Sequence, residues 1–254
     1  MEAIRLQSWY ATSQGQTVTQ IIGDAMQDWL GRHRVERTFG FGYTQPYMDR
    51  LLDWTDTLWG ASPAEMGVDP WPIGGDNRIA LVRPDALPFP DALFDRVIVT
   101  HLLEGTDSPR AALRESWRVL KPGGRLFLMV ANRGGLWAQR DTTPFGWSGS
   151  FSPGQIQFHL HDTLFLQRQL RYALFIPPWS GNKRWLNGAG AWEKAGQRWF
   201  APFGGVILCE AEKVVYASSL LVKQVESSHT RHSMVVIPTK ARAERTVQKR
   251  NRQE

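Results

Sequence analysis

The stretch from Phe94 to Val130 constrains the fold more than any other part of the sequence. Phe94-Asp95-Arg96-Val97-Ile98-Val99-Thr100 is a β-branched run suited to a central strand. Ser108-Pro109 then supplies a helix cap followed by proline at the first helical position, and Leu113, Trp117 and Leu120 recur at helical spacing. Pro122-Gly123-Gly124 stops that helix, and Arg125-Leu126-Phe127-Leu128-Met129-Val130 resumes extended structure. Two strands joined through one helix call for a right-handed crossover between parallel neighbours.

On both sides of this unit short apolar runs alternate with helical patterns, the signature of a parallel sheet covered on both faces. At the start, Leu6, Trp9 and Tyr10, then Ile21, Ile22, Ala25, Met26, Trp29 and Leu30, have helical spacing interrupted by Thr12 to Gln16. They predict a helical arm over residues 1–34, before an α/β domain over 35–217. Downstream, Ser152-Pro153 opens a helix expected to run through Leu170, Tyr172 to Ile176 reads as a strand, and Trp185 to Trp199 reads as a helix. Gly205 to Glu210 and Val214 to Tyr216 are extended runs expected to pair with each other. No internal repeat is apparent.

At 254 residues, 42% of them hydrophobic, the chain suits one domain with appendages. Its single cysteine, Cys209, allows neither an intramolecular disulfide nor a cysteine-cluster zinc site. No run nears the roughly 18 apolar residues of a membrane span. The opening Met1-Glu2-Ala3-Ile4-Arg5 lacks a signal-peptide core, so the expected location is the cytoplasm, with no membrane partner. Of the net charge of +6, +5 falls between Ser227 and Glu254, where seven cations face Glu244 and Glu254. Residues 218–254 therefore read as a basic, solvated tail rather than a nucleic-acid contact. The twelve tryptophans, at helical spacings, suit a core or dimer face better than nucleobase stacking.

Three phrases now fall in order: Leu87-Pro88-Phe89-Pro90-Asp91, Phe94-Asp95-Arg96-Val97, and Arg118-Val119-Leu120-Lys121-Pro122-Gly123-Gly124. In this order and spacing the chain, over roughly 35 to 217, resembles the type-11 methyltransferase domain of the class I S-adenosylmethionine-dependent family. The resemblance implies a doubly wound, three-layer, Rossmann-like α/β fold with a mostly parallel seven-stranded sheet. It implies S-adenosylmethionine as cofactor and methyl transfer to a small-molecule or macromolecular acceptor. A narrower likeness, to bacterial type-11-like proteins with a Gly-x-Gly-x-x-x-Pro-Tyr loop, covers Gly40 to Tyr47 and Asn132 to Gly146, and names no reaction. The second segment follows a strand's carboxyl end, where ligands bind in open α/β sheets; it reads either as part of a site or as a structural Ω-loop.

The cofactor loop implied by the family is Phe39-Gly40-Phe41-Gly42-Tyr43-Thr44-Gln45-Pro46, where glycines let a backbone approach a ligand and amides at the next helix start can hold a carboxylate. The same residues also suit a plain strand-to-helix turn. Cofactor contacts are expected from Gly40, Gly42, Tyr43, Asp85, Ala86, Leu87, Thr100 and His101. The chain departs from the family pattern at Thr38, which replaces an acidic residue, and at Thr44, which replaces a third glycine. No carboxylate lies within Leu58 to Pro63, where the family places its ribose ligand; Asp56 and Glu65 bracket the spot. Arg83 stands where the adenine-side acid is expected, with Asp85 close by, and Gly105 replaces a histidine.

His101 and Glu104 are the candidate catalytic pair. His101 follows the strand ending at Thr100, at the carboxyl edge where the ligand crevice opens, and can accept a proton near neutral pH. Glu104, three residues on, is expected to orient it across a helical turn. His159 and His161 fall on different faces of a helix and no third ligand is in view, so no metal site is expected. Two rivals to methyl transfer are a binding or regulatory module that keeps the fold without catalysis, and a nucleic-acid-associated protein acting through its tail.

Overall fold

Strand β4 (Phe94–Thr100) lies at the centre of the sheet, buried along nearly its whole length as its β-branched run requires. The computed structural model describes residues 2–30, 33–179 and 188–215. Seven strands form one sheet in the order β3-β2-β1-β4-β5-β7-β6. They are β1 (Val35–Gly42), β2 (Thr55–Pro63), β3 (Ile79–Val82), β4, β5 (Leu120–Ala131), β6 (Phe165–Ala173) and β7 (Val206–Lys213). The first five are parallel, with Gly42 paired to Thr100, and β7 runs antiparallel to both β5 and β6. Strand order reverses between β1 and β4, and at such a reversal the connections leave toward opposite faces and open a crevice at the carboxyl ends.

The helices are α1 (Ala3–Tyr10), α2 (Ser13–Leu30), α3 (Gln45–Leu51), α4 (Pro109–Val119), α5 (Pro153–Asp162) and α6 (Ala189–Trp199). Helix α4 begins where expected, with Ser108 Oγ accepting from the Ala111 amide and Pro109 in the first turn. Two apolar clusters cover the faces of the sheet. One joins Leu6, Val18, Ile22 and Met26 of the first two helices to Met48, Ile98 and Phe127; the other joins Leu113 and Ile156 to Phe39, Val97 and Val99. The arm is thus part of the core. Among the described residues no helix is long and apolar enough to cross a membrane.

Three expectations in the second half need correction. Helix α5 stops at Asp162, where the Thr163 hydroxyl bonds back to His159 O at 2.7 Å and Leu164 turns the chain at φ 65°. Phe165–Ala173 is then a strand, held along its length by β7, so local helical spacing has yielded to sheet pairing. The run beginning at Gly205 is inserted between β5 and β6 rather than paired with Val214 and Val215, and Tyr216 lies outside the described residues. Helix α6 starts at Ala189; Trp185 and Leu186, like the tail over 218–254, lie outside the described residues.

Candidate functional site

The reversal between β1 and β4 brings Gly40, Gly42, Tyr43, Thr100 and His101 together. Thr100 is tied to the loop after β1 twice, its carbonyl accepting from the Tyr43 amide at 2.9 Å and its hydroxyl donating to Tyr43 O at 2.5 Å. Gly42 has φ 92°, and a β-carbon there would overlap the Thr100 carbonyl. A β-carbon on Gly40 would press on the Thr44 side chain. Both glycines therefore serve close packing of the loop, and neither presents open space to a ligand.

Helix α1 lies across this edge. Tyr10 Oη is 2.6 Å from His101 Nε2 and 3.3 Å from Tyr47 Oη, and the Tyr10 ring stacks on Tyr43 at 5.9 Å. Trp9 meets Trp137 and Phe145 edge to face, so the Asn132–Gly146 segment is a compact loop closing against the arm. Asp69 fastens the assembly, accepting from Gln7 at 2.8 Å with one oxygen and from the Tyr43 hydroxyl at 3.0 Å with the other. Burial raises the phenols of Tyr10, Tyr43 and Tyr47 well above the usual range, so all three are neutral donors.

His101 and Glu104 do not form the expected pair. Burial lowers the His101 pKa to about 3, so the ring is neutral, and its Nε2 shares a hydrogen bond with the Tyr10 hydroxyl. The turn after β4 directs Glu104 to the end of β5, where Oε1 accepts from the Ala131 amide at 2.8 Å. Burial, only partly offset by that bond, raises its pKa to about 7. Among the described residues five buried side-chain atoms lack a hydrogen-bond partner: Thr38 Oγ1, Thr44 Oγ1, Gln45 Oε1, Glu104 Oε2 and Gln167 Oε1. Buried polar atoms are paired in the great majority of cases, and three of these five, on Thr44, Gln45 and Glu104, follow β1 and β4 at the edge where strand order reverses.

Beside the covered switch point lies an open cavity of about 300 Å³. It is lined by Pro63 and Glu65 at the end of β2, Arg83 and Asp85 after β3, and Asp107 and Ser108 before α4. Glu65 thus places a carboxylate in the cavity just past the end of β2, whereas Asp56 is paired with Arg34 at the start of that strand. Arg83 pairs with Asp85 at 2.8 Å and holds its carboxyl below the usual range. Asp85 is the one expected cofactor residue that lines the open cavity. Ala86 bonds back to Arg83 O, and the Leu87 amide is spent on Glu115.

The family phrases turn out to hold one another. Arg118 donates to Leu87 O at 3.0 Å, Phe89 O at 2.7 Å and Asp91 at 2.7 Å, while Lys121 bonds Asp95 at 2.7 Å. They build the frame around the crevice and leave its chemistry to other residues. A methyltransferase-domain family model matches residues 71–128, the part containing this frame. Among curated proteins, a demethylmenaquinone methyltransferase of Clavibacter sepedonicus is 45% identical over 58 residues, 22% of this chain and 24% of that protein. A ubiquinone/menaquinone biosynthesis C-methyltransferase of Pasteurella multocida is 51% identical over 57 residues, 22% and 21% of the two chains. These matches span under a quarter of each relative's length. Among solved structures, a possible histamine N-methyltransferase of Thermotoga maritima aligns with TM-score 0.57 and 16% identity, covering 82% of this chain and 93% of that one.

The chain thus has the fold of class I S-adenosylmethionine-dependent methyltransferases. The same methyltransferase fold serves the [4+2]-cyclase SpnF, which aligns with TM-score 0.53 and 19% identity over 81% of this chain and 85% of that one. Fold alone therefore leaves the reaction open. Sequence reasoning missed Asp69 and Tyr10 as site residues. Asp69 belongs to no motif, and Tyr10 is indistinguishable in sequence from an apolar position on its helix. His159, which gave the metal question, packs against the Phe151 and Phe158 rings.

Proposed function

We propose that the protein transfers a methyl group from S-adenosylmethionine to an acceptor, holding the cofactor's nucleoside in the open cavity and its amino-acid end beneath the arm. The observation that carries this reading is the adjacency of a carboxylate-lined cavity and three unpartnered buried acceptors at the reversal of strand order. Glu65 and Asp85 can accept from ribose hydroxyls, and Gln45 Oε1 and Thr44 Oγ1 from an ammonium group. The cofactor supplies an electrophilic methyl on a sulfonium; the protein's part is orientation and, where the nucleophile carries a proton, its removal. Glu104 suits that removal better than His101, because a base works best when its pKa is near the operating pH.

The acceptor does not follow from the quinone-pathway relatives, because the family match lies in the frame and includes nothing of the arm. A second reading, a binding module without catalysis, is favoured by the cover that Trp9 and Tyr10 form over the switch point. The test incubates the protein with methyl-labelled cofactor and a cell extract. Label should pass to an acceptor, and Glu104→Gln should lower the rate about a hundredfold while keeping cofactor affinity, within the usual worth of a general base. Saturable cofactor binding without any transfer would favour the binding module.

A further inference from the structure

Helix α6 has two unlike sides. Its inner side packs: Glu193 accepts from the Leu174 amide at 3.0 Å and the Phe175 amide at 2.5 Å, and Gly196 lies against the Phe175 ring. Its outer side carries Ala195 and, one turn on, Trp199, which is 71% exposed. The chain continues through Phe200, 60% exposed, and Phe203, 61% exposed, in the short turn Ala201–Phe203. Asn132 fixes that turn at the carboxyl end of β5 by donating to Pro202 O and Gly204 O, and Gly135 abuts Gly204, bringing exposed Leu136 alongside. Isolated exposed apolar residues are ordinary; a contiguous group of this kind calls for an occupant.

The charges around these rings identify the occupant. Arg198 lies over the Trp199 ring at 5.6 Å and Arg140 over the Trp179 ring at 5.4 Å, and Arg133, beside the glycine that abuts Pro202, adds another cation. Of the carboxylates around the helix, Glu193 is turned inward to amides, Asp24 and Asp28 lie with Lys194 on its inner side, and Asp141 follows Arg140 in the neighbouring loop. We propose that this aromatic and cationic surface seats the protein on an anionic lipid bilayer. Tryptophan and phenylalanine rings enter the boundary between headgroups and acyl chains while guanidinium groups meet lipid phosphates, which is how interfacial surfaces bind without a spanning helix. A second copy fits less well, since a two-fold interface would set the same cations against each other. The surface adjoins the carboxyl edge of the sheet, so docking would bring the candidate site to the bilayer.

The test is co-sedimentation of the full chain with vesicles of phosphatidylcholine mixed with phosphatidylglycerol, against vesicles of phosphatidylcholine alone. The chain should bind the anionic vesicles. Trp199→Ser, Phe200→Ser and Phe203→Ser combined should weaken that binding by about tenfold or more, given the apolar area withdrawn from water on insertion. Arg140→Gln with Arg198→Gln, a milder pair, should weaken it by roughly fivefold per charge on anionic vesicles only. Equal binding by the triple variant, at an unchanged melting temperature, would assign the attraction to the chain's other positive charge and overturn the proposal. Lipid-free self-association lost in the triple variant, with no vesicle binding by the parent, would overturn it in favour of a second copy.

Discussion

Burial moves the two candidate catalytic groups in opposite directions, and each leaves its own mark on stability. Glu104 titrates at about 7 in the folded protein against 4.5 for an ordinary glutamate. Its raised value favours the fold fully below 4.5, and that contribution is lost as pH rises through about 7. His101 falls to about 3 from 6.5, so its contribution is present above 6.5 and lost as pH falls toward 3. Glu104→Gln keeps an acceptor for the Ala131 amide and removes only the first effect. Melting curves across pH should show the variant gaining on the parent from about 4.5 to about 7 and holding a constant lead above that. Parallel curves through that window would mean that Glu104 is ionised in the fold at all these values.

At the scale of the element, the turn from β1 into α3 rests on its two glycines unequally. At Gly42 a β-carbon would meet a backbone carbonyl that belongs to β4 and cannot move, and the left-handed φ adds strain. At Gly40 it would meet a side chain that can rotate. Gly42→Ala should cost about 3 kcal/mol or more, a fall of roughly 6–12 °C in melting temperature, and Gly40→Ala about a third of that. Equal falls would mean that the loop relaxes at both positions. The central unit was legible because β4, the Ser108 cap and Pro122-Gly123-Gly124 are local signals that agree with one another. The second half misled because β6 is a strand only through its pairing with β7, a partner more than thirty residues away. The positions of His101, Thr100 and the glycines at strand ends were legible, but the packing that surrounds them there was not. The Tyr10 contact joins residues 91 positions apart, and Glu104's partner was set by a turn rather than a helix, so no sequence spacing announced either.

Across the whole molecule, the arm and the sheet divide the site between them. The cavity over β2 and β3 is open, while the switch point over β1 and β4 lies under Trp9 and Tyr10, anchored at 2.6 Å to His101. A ligand confined to the cavity needs no movement of the arm, whereas one reaching the switch point must displace Tyr10. Its apparent affinity is lowered by the fraction of molecules in which the arm is closed. Calorimetric titration with adenosine and with S-adenosylhomocysteine separates the two parts of the site. Both should bind saturably and both should weaken about tenfold or more in Glu65→Ala, the loss of one hydrogen bond to a charged group. Tyr10→Phe, which removes the bond to His101, should strengthen S-adenosylhomocysteine binding and leave adenosine unchanged. No saturable heat with S-adenosylhomocysteine at millimolar concentration, or binding indifferent to Glu65→Ala, would contradict the assignment of this cavity to the cofactor.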